Sequence, residues 1–334
     1  QSIVITAASI ISIGSFILYF FGFIDISNNW ERLWASVFHS ISAYNNAGFS
    51  VWSSSMYKYR SNFVVNIVFV CLIILGGIGW RVIDDIWNNR KNLRYQRLSL
   101  HSKLVLRTTF YLIIFGSFGF LITESLLNGQ FFAGLNFGER ILSAFFETVS
   151  ARTAGFTNYQ ISLNTISDTG LLLLMTLMFI GASTGGTGGG IKTTTFIALM
   201  AATRSTLRGQ KDVIISNRLI SDKVILKAVG ITVASLLFVL LMAMLLSTTN
   251  TFINREKFTF LEMLFTCISA FATVGFDIGL TMKLNHFGQL ILIIGMFVGR
   301  LGILLFLSAL WEALYKSRMN KQKRIGYPKA DLYV

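Results

Sequence analysis

Long and short apolar stretches alternate along this chain in a fixed order. Residues 2–24, 62–87, 103–127, 224–249 and 286–317 read as helices near or beyond the ~18 apolar residues that cross a bilayer. Residues 169–204 form a sixth such stretch, interrupted in its middle by glycines. Within each successive pair lies a shorter helical pattern, at 31–44, 138–151 and 259–272. At ~1.5 Å per residue these 14-residue helices reach only ~21 Å and fall short of a ~30 Å hydrocarbon core. They are expected to be re-entrant.

Each short helix runs into the same phrase: FHSISAYNNAGFS, FFETVSARTAGFT and FTCISAFATVGFD, with a Phe ten residues before a Gly-Phe pair. The glycines are Gly48, Gly155 and Gly275, at intervals of 107 and 120 residues. The chain therefore divides into three tandem helix–pore loop–helix units: 1–98, 99–218 with a broken second helix, and 219–334 with a basic C-terminal tail. The fold class expected is an all-α integral membrane protein.

A re-entrant helix and turn leave backbone carbonyls at membrane depth, which is tolerated only where protein buries them or a water-filled path receives them. A cation crossing lipid needs such oxygens, with the negative C-terminal end of a short helix aimed at its path. Glycine permits the required backbone, and the adjacent Phe can wedge outward and brace it. The candidate selectivity filter is Asn46, Ala47, Gly48 and Phe49, with Thr153, Ala154, Gly155 and Phe156, and Thr273, Val274, Gly275 and Phe276.

Proline occurs once, at Pro328, so kinks in the membrane helices must come from glycine. The clusters at Gly76, Gly77 and Gly79 and at Gly299 and Gly302 are read as close helix packing in the small-residue manner. The middle segment, IGASTGGTGGGIKTTT, is instead a helix broken at membrane depth. Its Gly185, Gly186, Gly188, Gly189, Gly190 and Lys192 form a candidate gate. A phosphate-binding loop is excluded, because Ile191 stands where that motif requires Gly before Lys. Arg300, near the centre of the last apolar stretch, must find partners at this depth, and the free carbonyls of the broken loop can supply them. A cation there also repels a permeating cation, so Arg300 joins the gate.

Glu147 and Arg152 flank the second turn and are expected to pair or to brace the short helix, while Asp277 can concentrate cations at the outer mouth. The apolar share of 53% and charged share of 13% agree with a membrane protein. The net charge of +14 would suggest nucleic acid if it were spread evenly, but 19 of the 29 Lys and Arg lie in 81–107, 203–227 and 312–334. Each of these follows the second long helix of a unit, so by the positive-inside rule they are cytoplasmic, as is the C-terminus. A nucleic-acid partner is not expected, and anionic membrane lipid is a secondary partner for the basic segments. Cys71 and Cys267 lack metal-ligand spacing and read as packing residues. His39, His101 and His286 lie in separate elements, and no acid, base and nucleophile constellation of an enzyme is present.

With the turns NNAGFS, ARTAGFT and ATVGFDIG, the STGGTGGGIKTTT interruption, VGRLG and the closing YPKADLYV, the chain resembles the Trk/Ktr/HKT superfamily of potassium transporters. It is most similar to the membrane subunits of bacterial Ktr systems, over essentially its whole length. The resemblance implies four units in pseudo-fourfold symmetry, of which three are present; the missing one is expected to be the first, upstream of a chain that starts at Gln1. It also implies a homodimer in a bacterial plasma membrane, docked on a cytoplasmic ring of KtrA-like or KtrC-like RCK subunits. No cofactor is implied in this chain; potassium is the transported ion and the regulatory nucleotide sits on the partner. Glycine at all three filter positions goes, in this family, with potassium over sodium. The rival reading is a secondary transporter of an organic solute, built on broken helices in inverted repeats; here the basic segments follow the same helix each time, so the units are parallel.

Overall fold

The computed structural model describes residues 2–90, 98–127, 130–210, 212–249 and 258–308. Its helices are α1 (Ser2–Ile17), α2 (Asn29–Tyr44), α3 (Phe63–Ile78), α4 (Trp80–Asn88), α5 (Leu100–Leu126), α6 (Phe137–Ala151), α7 (Asp168–Phe179), α8 (Thr193–Leu207), α9 (Asp222–Thr249), α10 (Phe260–Phe271) and α11 (His286–Leu301). A small hairpin, β1 (Ile214–Ile215) and β2 (Arg218–Leu219), interrupts the α8–α9 connection. The protein is an all-α membrane protein. Ile3–Gly22, Leu100–Leu126 and Asp222–Thr248 are each long and apolar enough to cross a bilayer. The end of the expected 286–317 helix, part of the basic segment 81–107 and the closing YPKADLYV lie outside the described residues.

The short helices α2, α6 and α10 share one construction. The Asn28 side chain caps α2, and Asn136 with Glu139 and Thr259 with Glu262 form capping boxes on α6 and α10. Each carries an acid in its first turn (Glu31, Glu139, Glu262), which suits the positive end of the helix dipole. The opposite, carbonyl-bearing ends stop at Tyr44, Ala151 and Phe271, immediately before the Gly-Phe turns.

Packing joins the units in sequence. α3 packs on α2 of its own unit and on α6 of the next, and α7 packs on α6 and then on α10. One apolar core accordingly merges Val65, Phe69 and Ile73 with Phe146, Val149 and Phe156; a second merges Leu171, Leu174 and Met178 with Phe265, Val274 and Phe276. Among the described residues no corresponding neighbour lies on the outer faces of α2 and α11, where Trp30, Trp34, Phe287, Ile293 and Phe297 are exposed.

The returning segments are not continuous helices, which corrects the expectation for 62–87 and 286–317. α3 stops at Ile78, and α4 leaves at 93° after Gly79, whose φ is 87°. α11 stops at Leu301 before Gly302, φ 91°, and helix resumes at 303–308. A positive φ is open to glycine at little cost, and it breaks the helical ladder as proline would. The expected close packing is present as well, one turn earlier. A Cβ on Gly76 would run into the Tyr44 carbonyl oxygen, and one on Gly299 into that of Phe271. The first and third returning helices thus lie against the last carbonyl of their own short helices.

Candidate functional site

The Gly-Phe turns meet one another. In each, two residues spaced by one have positive φ: Asn46 (50°) and Gly48 (73°), Thr153 (78°) and Gly155 (80°), Thr273 (52°) and Gly275 (97°). A non-glycine residue in this region is uncommon, and its recurrence at one position in three turns marks a shared backbone. A Cβ placed on Gly48 would lie 2.6 Å from the Ala154 carbonyl oxygen and 3.1 Å from Gly155 Cα. One on Gly155 would collide with the Val274 carbonyl oxygen. One on Gly275 meets only Gly155 Cα, at 3.8 Å. Carbonyls of successive turns therefore converge on their neighbours' glycines, and among the described residues no carbonyl approaches Gly275 in the same way.

A serine in each short helix fixes the exit of each turn. The hydroxyls of Ser42, Ser150 and Ser269 donate to the carbonyl oxygens of Phe49 (2.8 Å), Phe156 (2.5 Å) and Phe276 (2.8 Å). The sequence reading missed these residues, although the signal was there: ISA, VSA and ISA precede the turns. The match had been set on a Phe ten residues before glycine, which hides that Ser150 is one residue nearer its glycine than the others. The helix exit absorbs the difference. Ala47 and Val274 donate to Ser42 and Ser269 five residues back, whereas Ala154 donates to Ser150 four back.

Directly beneath the turns lies the broken segment. α7 ends at Phe179, an isolated parallel bridge joins Ile180 to Ile191, and α8 starts at Thr193. Successive residues of the loop address successive units. Thr187 donates from Oγ1 to the Tyr44 carbonyl (3.3 Å) and from its backbone N–H to that of Gly76 (3.2 Å). Gly188 is packed against Thr153 Oγ1, so that a Cβ there would overlap it. A Cβ on Gly189 would lie 2.5 Å from Thr273 Oγ1 and 2.6 Å from the Ala272 carbonyl oxygen. Gly186 abuts the Gly77 carbonyl, Ser183 N–H donates to it (3.0 Å), and Trp80 N–H reaches the Gly185 carbonyl (3.4 Å). Gly185 and Gly190 adopt φ of 85° and 69°. The loop therefore spans the space under all three turns.

Its carbonyls are taken by cations. Arg300 donates from Nη1 to the Thr187 carbonyl, and Lys192 Nζ to that of Gly188 at 2.7 Å. Arg152 donates from Nη2 to the Gly181 carbonyl at 3.3 Å. Arg152 and Glu147 do not pair, contrary to one expectation: buried Glu147 accepts from the Asn158 backbone N–H (2.8 Å). Each side chain reaches a different stretch of backbone, the acid holding the chain after the turn and the base holding the start of the loop. Asp277 is exposed and accepts from Thr281 Oγ1 (3.0 Å).

Between turns and loop sit polar atoms awaiting partners. Thr153 Oγ1 and Thr273 Oγ1 are buried and make no hydrogen bond among the described residues. Asn46 occupies the matching position; with its amide nitrogen toward the Ala43 and Ile73 carbonyls, its oxygen lies 3.3 Å from Thr187 Oγ1 and competes with the Tyr44 carbonyl for that one hydroxyl proton. His39 is buried in an aromatic cage, stacked on Trp52 with centroids 4.4 Å apart, and its Nε2 lies 3.0 Å from Ser50 Oγ, just past the first turn. Cys267 is buried as a packing residue, whereas Cys71 is on an exposed face of α3.

A family model described as a cation transport protein, TrkH, matches residues 1–316. The chain is 36% identical over 302 residues to the Ktr system potassium uptake protein B of Bacillus subtilis, covering 90% of this chain and 64% of that protein. It is 38% identical over 289 residues to the protein of the same name in Vibrio alginolyticus, covering 84% and 61%. The potassium/sodium uptake protein NtpJ of Enterococcus hirae matches at 35% over 292 residues, covering 87% and 63%. In fold, the chain is similar to the crystal structure of the potassium transporter TrkH from Vibrio parahaemolyticus, with a TM-score of 0.72, 18% identity, and coverage of 91% of this chain and 62% of that one. The chain thus spans less than two thirds of the length of these relatives.

Proposed function

We propose, given that this chain belongs to the TrkH family of cation transport proteins, that it supplies three quarters of a potassium pathway. The Gly48, Gly155 and Gly275 turns are the filter strands, and the loop beneath them is the gate. The observation that carries this reading is the matched pair of positive-φ residues in three turns, packed one against the next with the carbonyls of Ala154 and Val274 against Gly48 and Gly155. A dehydrating cation finds backbone oxygens there, and the unpartnered hydroxyls of Thr153 and Thr273 offer further ligands at the inner end. The α2, α6 and α10 dipoles present their negative ends to the same place. Below it, Lys192 and Arg300 occupy carbonyls of the loop and add positive charge, opposing the flow until the loop moves.

The bare outer faces of α2 and α11 are where a fourth helix–pore loop–helix unit completes the ring. The names of the Bacillus and Vibrio relatives support potassium as the ion, and that of the Enterococcus relative makes sodium the competitor to measure. As in the Ktr assembly expected above, the protein acts as a homodimer in the bacterial plasma membrane, and its basic cytoplasmic side docks a nucleotide-binding RCK ring.

The test is potassium and sodium uptake by the complete protein in cells lacking their own potassium uptake. Saturable, potassium-preferring uptake is expected, and removing residues 185–190 or changing Arg300→Ala raises the flux several-fold. Uptake of neither ion by protein that reaches the membrane, or loop variants no faster than wild type, would overturn the filter-and-gate assignment.

A further inference from the structure

On the cytoplasmic side of the second unit, α5, α7 and α8 do not close on one another. They leave a groove of about 880 Å³, roofed at its mouth by Ile214 and Ile215 of the hairpin. Its two ends differ in chemistry. Arg107, two turns into α5, and Arg204 and Arg208, at the end of α8, line the mouth. All three are exposed, and among the described residues none has an acidic partner. Deeper, the wall is Tyr111, Phe115, Leu173, Phe196 and Met200, of which Phe115 is 68% and Met200 57% exposed. Phe115 lies eight residues along α5 from Arg107, and Phe196 eight residues back along α8 from Arg204. At ~1.5 Å per residue the apolar wall extends ~12 Å inward from the arginines on both helices.

We infer that this groove is a specific site for an anionic phospholipid. Its phosphate would be held by Arg107, Arg204 and Arg208, and an acyl chain would lie along the aromatic wall. Guanidinium groups match phosphate oxygens in bidentate geometry, and their juxtamembrane position places them at headgroup level. Charge decides the occupant. A second copy of this chain, at +14, would present the same uncompensated basic rim, whereas an anionic lipid neutralises it. The inference requires only that the chain lies in a membrane, and it stands whichever ion is carried.

The test uses the complete protein in detergent, with phosphatidylglycerol, phosphatidylcholine or inorganic phosphate added, read by native mass spectrometry and by the unfolding midpoint. Phosphatidylglycerol is expected to remain bound and to raise the midpoint by about 3–5 °C, with phosphatidylcholine and phosphate each giving less than about 1 °C. The double change R204Q/R208Q and the groove-filling M200W should each remove at least half of that shift, while R140Q, in the second short helix away from the groove, leaves it intact. Equal shifts with both lipids, or an equal shift with phosphate alone, would overturn the site. So would efficient cross-linking of two copies through a cysteine introduced at Met200 that phosphatidylglycerol fails to suppress.

Discussion

The first and second Gly-Phe turns share sequence, dihedral pattern and a serine clasp, yet Phe49 is 70% exposed and Phe156 is fully buried. What differs is the neighbour. Phe156 enters the wall of the first unit, edge-on to Phe69 with centroids 5.0 Å apart. Phe276, 2% exposed, enters that of the second, among Ile161, Leu171 and Leu174. Among the described residues no wall covers Phe49. The first turn is steadied from its own unit instead, by His39 on Ser50 and by Trp52. Local sequence therefore fixes the shape of a turn, and the preceding unit fixes whether its phenylalanine is covered.

The sharpest way to break this comparison is at the glycines. Gly155→Ala forces a Cβ into the Val274 carbonyl and should cut potassium uptake by about tenfold or more, the scale of ~1–3 kcal/mol of backbone strain plus the displaced neighbour. Gly275→Ala meets only Gly155 Cα, at 3.8 Å, among the described residues, so in this chain alone it should lower the unfolding midpoint less than Gly155→Ala. If a fourth turn closes the ring, its carbonyl meets that Cβ, and uptake by the complete protein should fall as far at both positions; a smaller loss at Gly275 would speak against closure there. Next comes the phenylalanine. Phe156→Ala should cost about 3–5 kcal/mol of stability in detergent unfolding, the usual range for emptying a packed aromatic site. Phe49→Ala should cost less than about 1 kcal/mol in this chain alone and as much as Phe156→Ala in the complete protein, if a fourth unit covers it. A mild effect in both would leave that face bare.

Smaller effects refine the same contrast. Ser150→Ala and Ser42→Ala each remove one hydrogen bond to a turn-exit carbonyl, worth about 1 kcal/mol, and, with the turns as the proposed filter, should lower the potassium-to-sodium uptake ratio by similar factors. A large effect at one only would show that the neighbour matters to the clasp as well. Smallest is the outer staple of the first unit, where Asp25 pairs with Lys58 and accepts from Tyr59 Oη at 3.0 Å. Partial burial pushes the Asp25 carboxyl up, but the Lys58 and Tyr59 hydrogen bonds and the Lys58 charge outweigh it and hold it below its ordinary value. A depressed native pKa means stabilisation present above the unfolded value near 4 and lost as pH falls through the native one. Asp25→Asn should remove that acid-side dependence from the unfolding midpoint, at a cost below about 1 kcal/mol for so exposed a pair.

How far the sequence could be read follows from the same physics. Apolar length and helix spacing are local properties, so α2, α5, α6, α9 and α10 lie within a few residues of the stretches that predicted them, as does α1 once the π-helical turn Leu18–Gly22 that continues it is included. The returning segments were harder. A glycine that lets a carbonyl approach (Gly76, Gly299) and one that breaks the helix (Gly79, Gly302) look alike in sequence, because the distinction lies in φ. The partners of Glu147 and Arg152 were illegible for another reason: Gly181 and Asn158 come close only through the return of the chain. Arg300 was legible, because a charge at that depth has few possible partners and the broken loop was already visible.

The insertion of Phe156 and Phe276 into walls built by the unit before them also carries a temporal meaning. A ribosome delivers each wall before the phenylalanine that fills it, so packing can follow synthesis without waiting or exchange. The second and third units, on release into the bilayer, each meet a docking surface that the unit before them has already built. Assembly in this order is directional, each addition using a surface that the chain has already made.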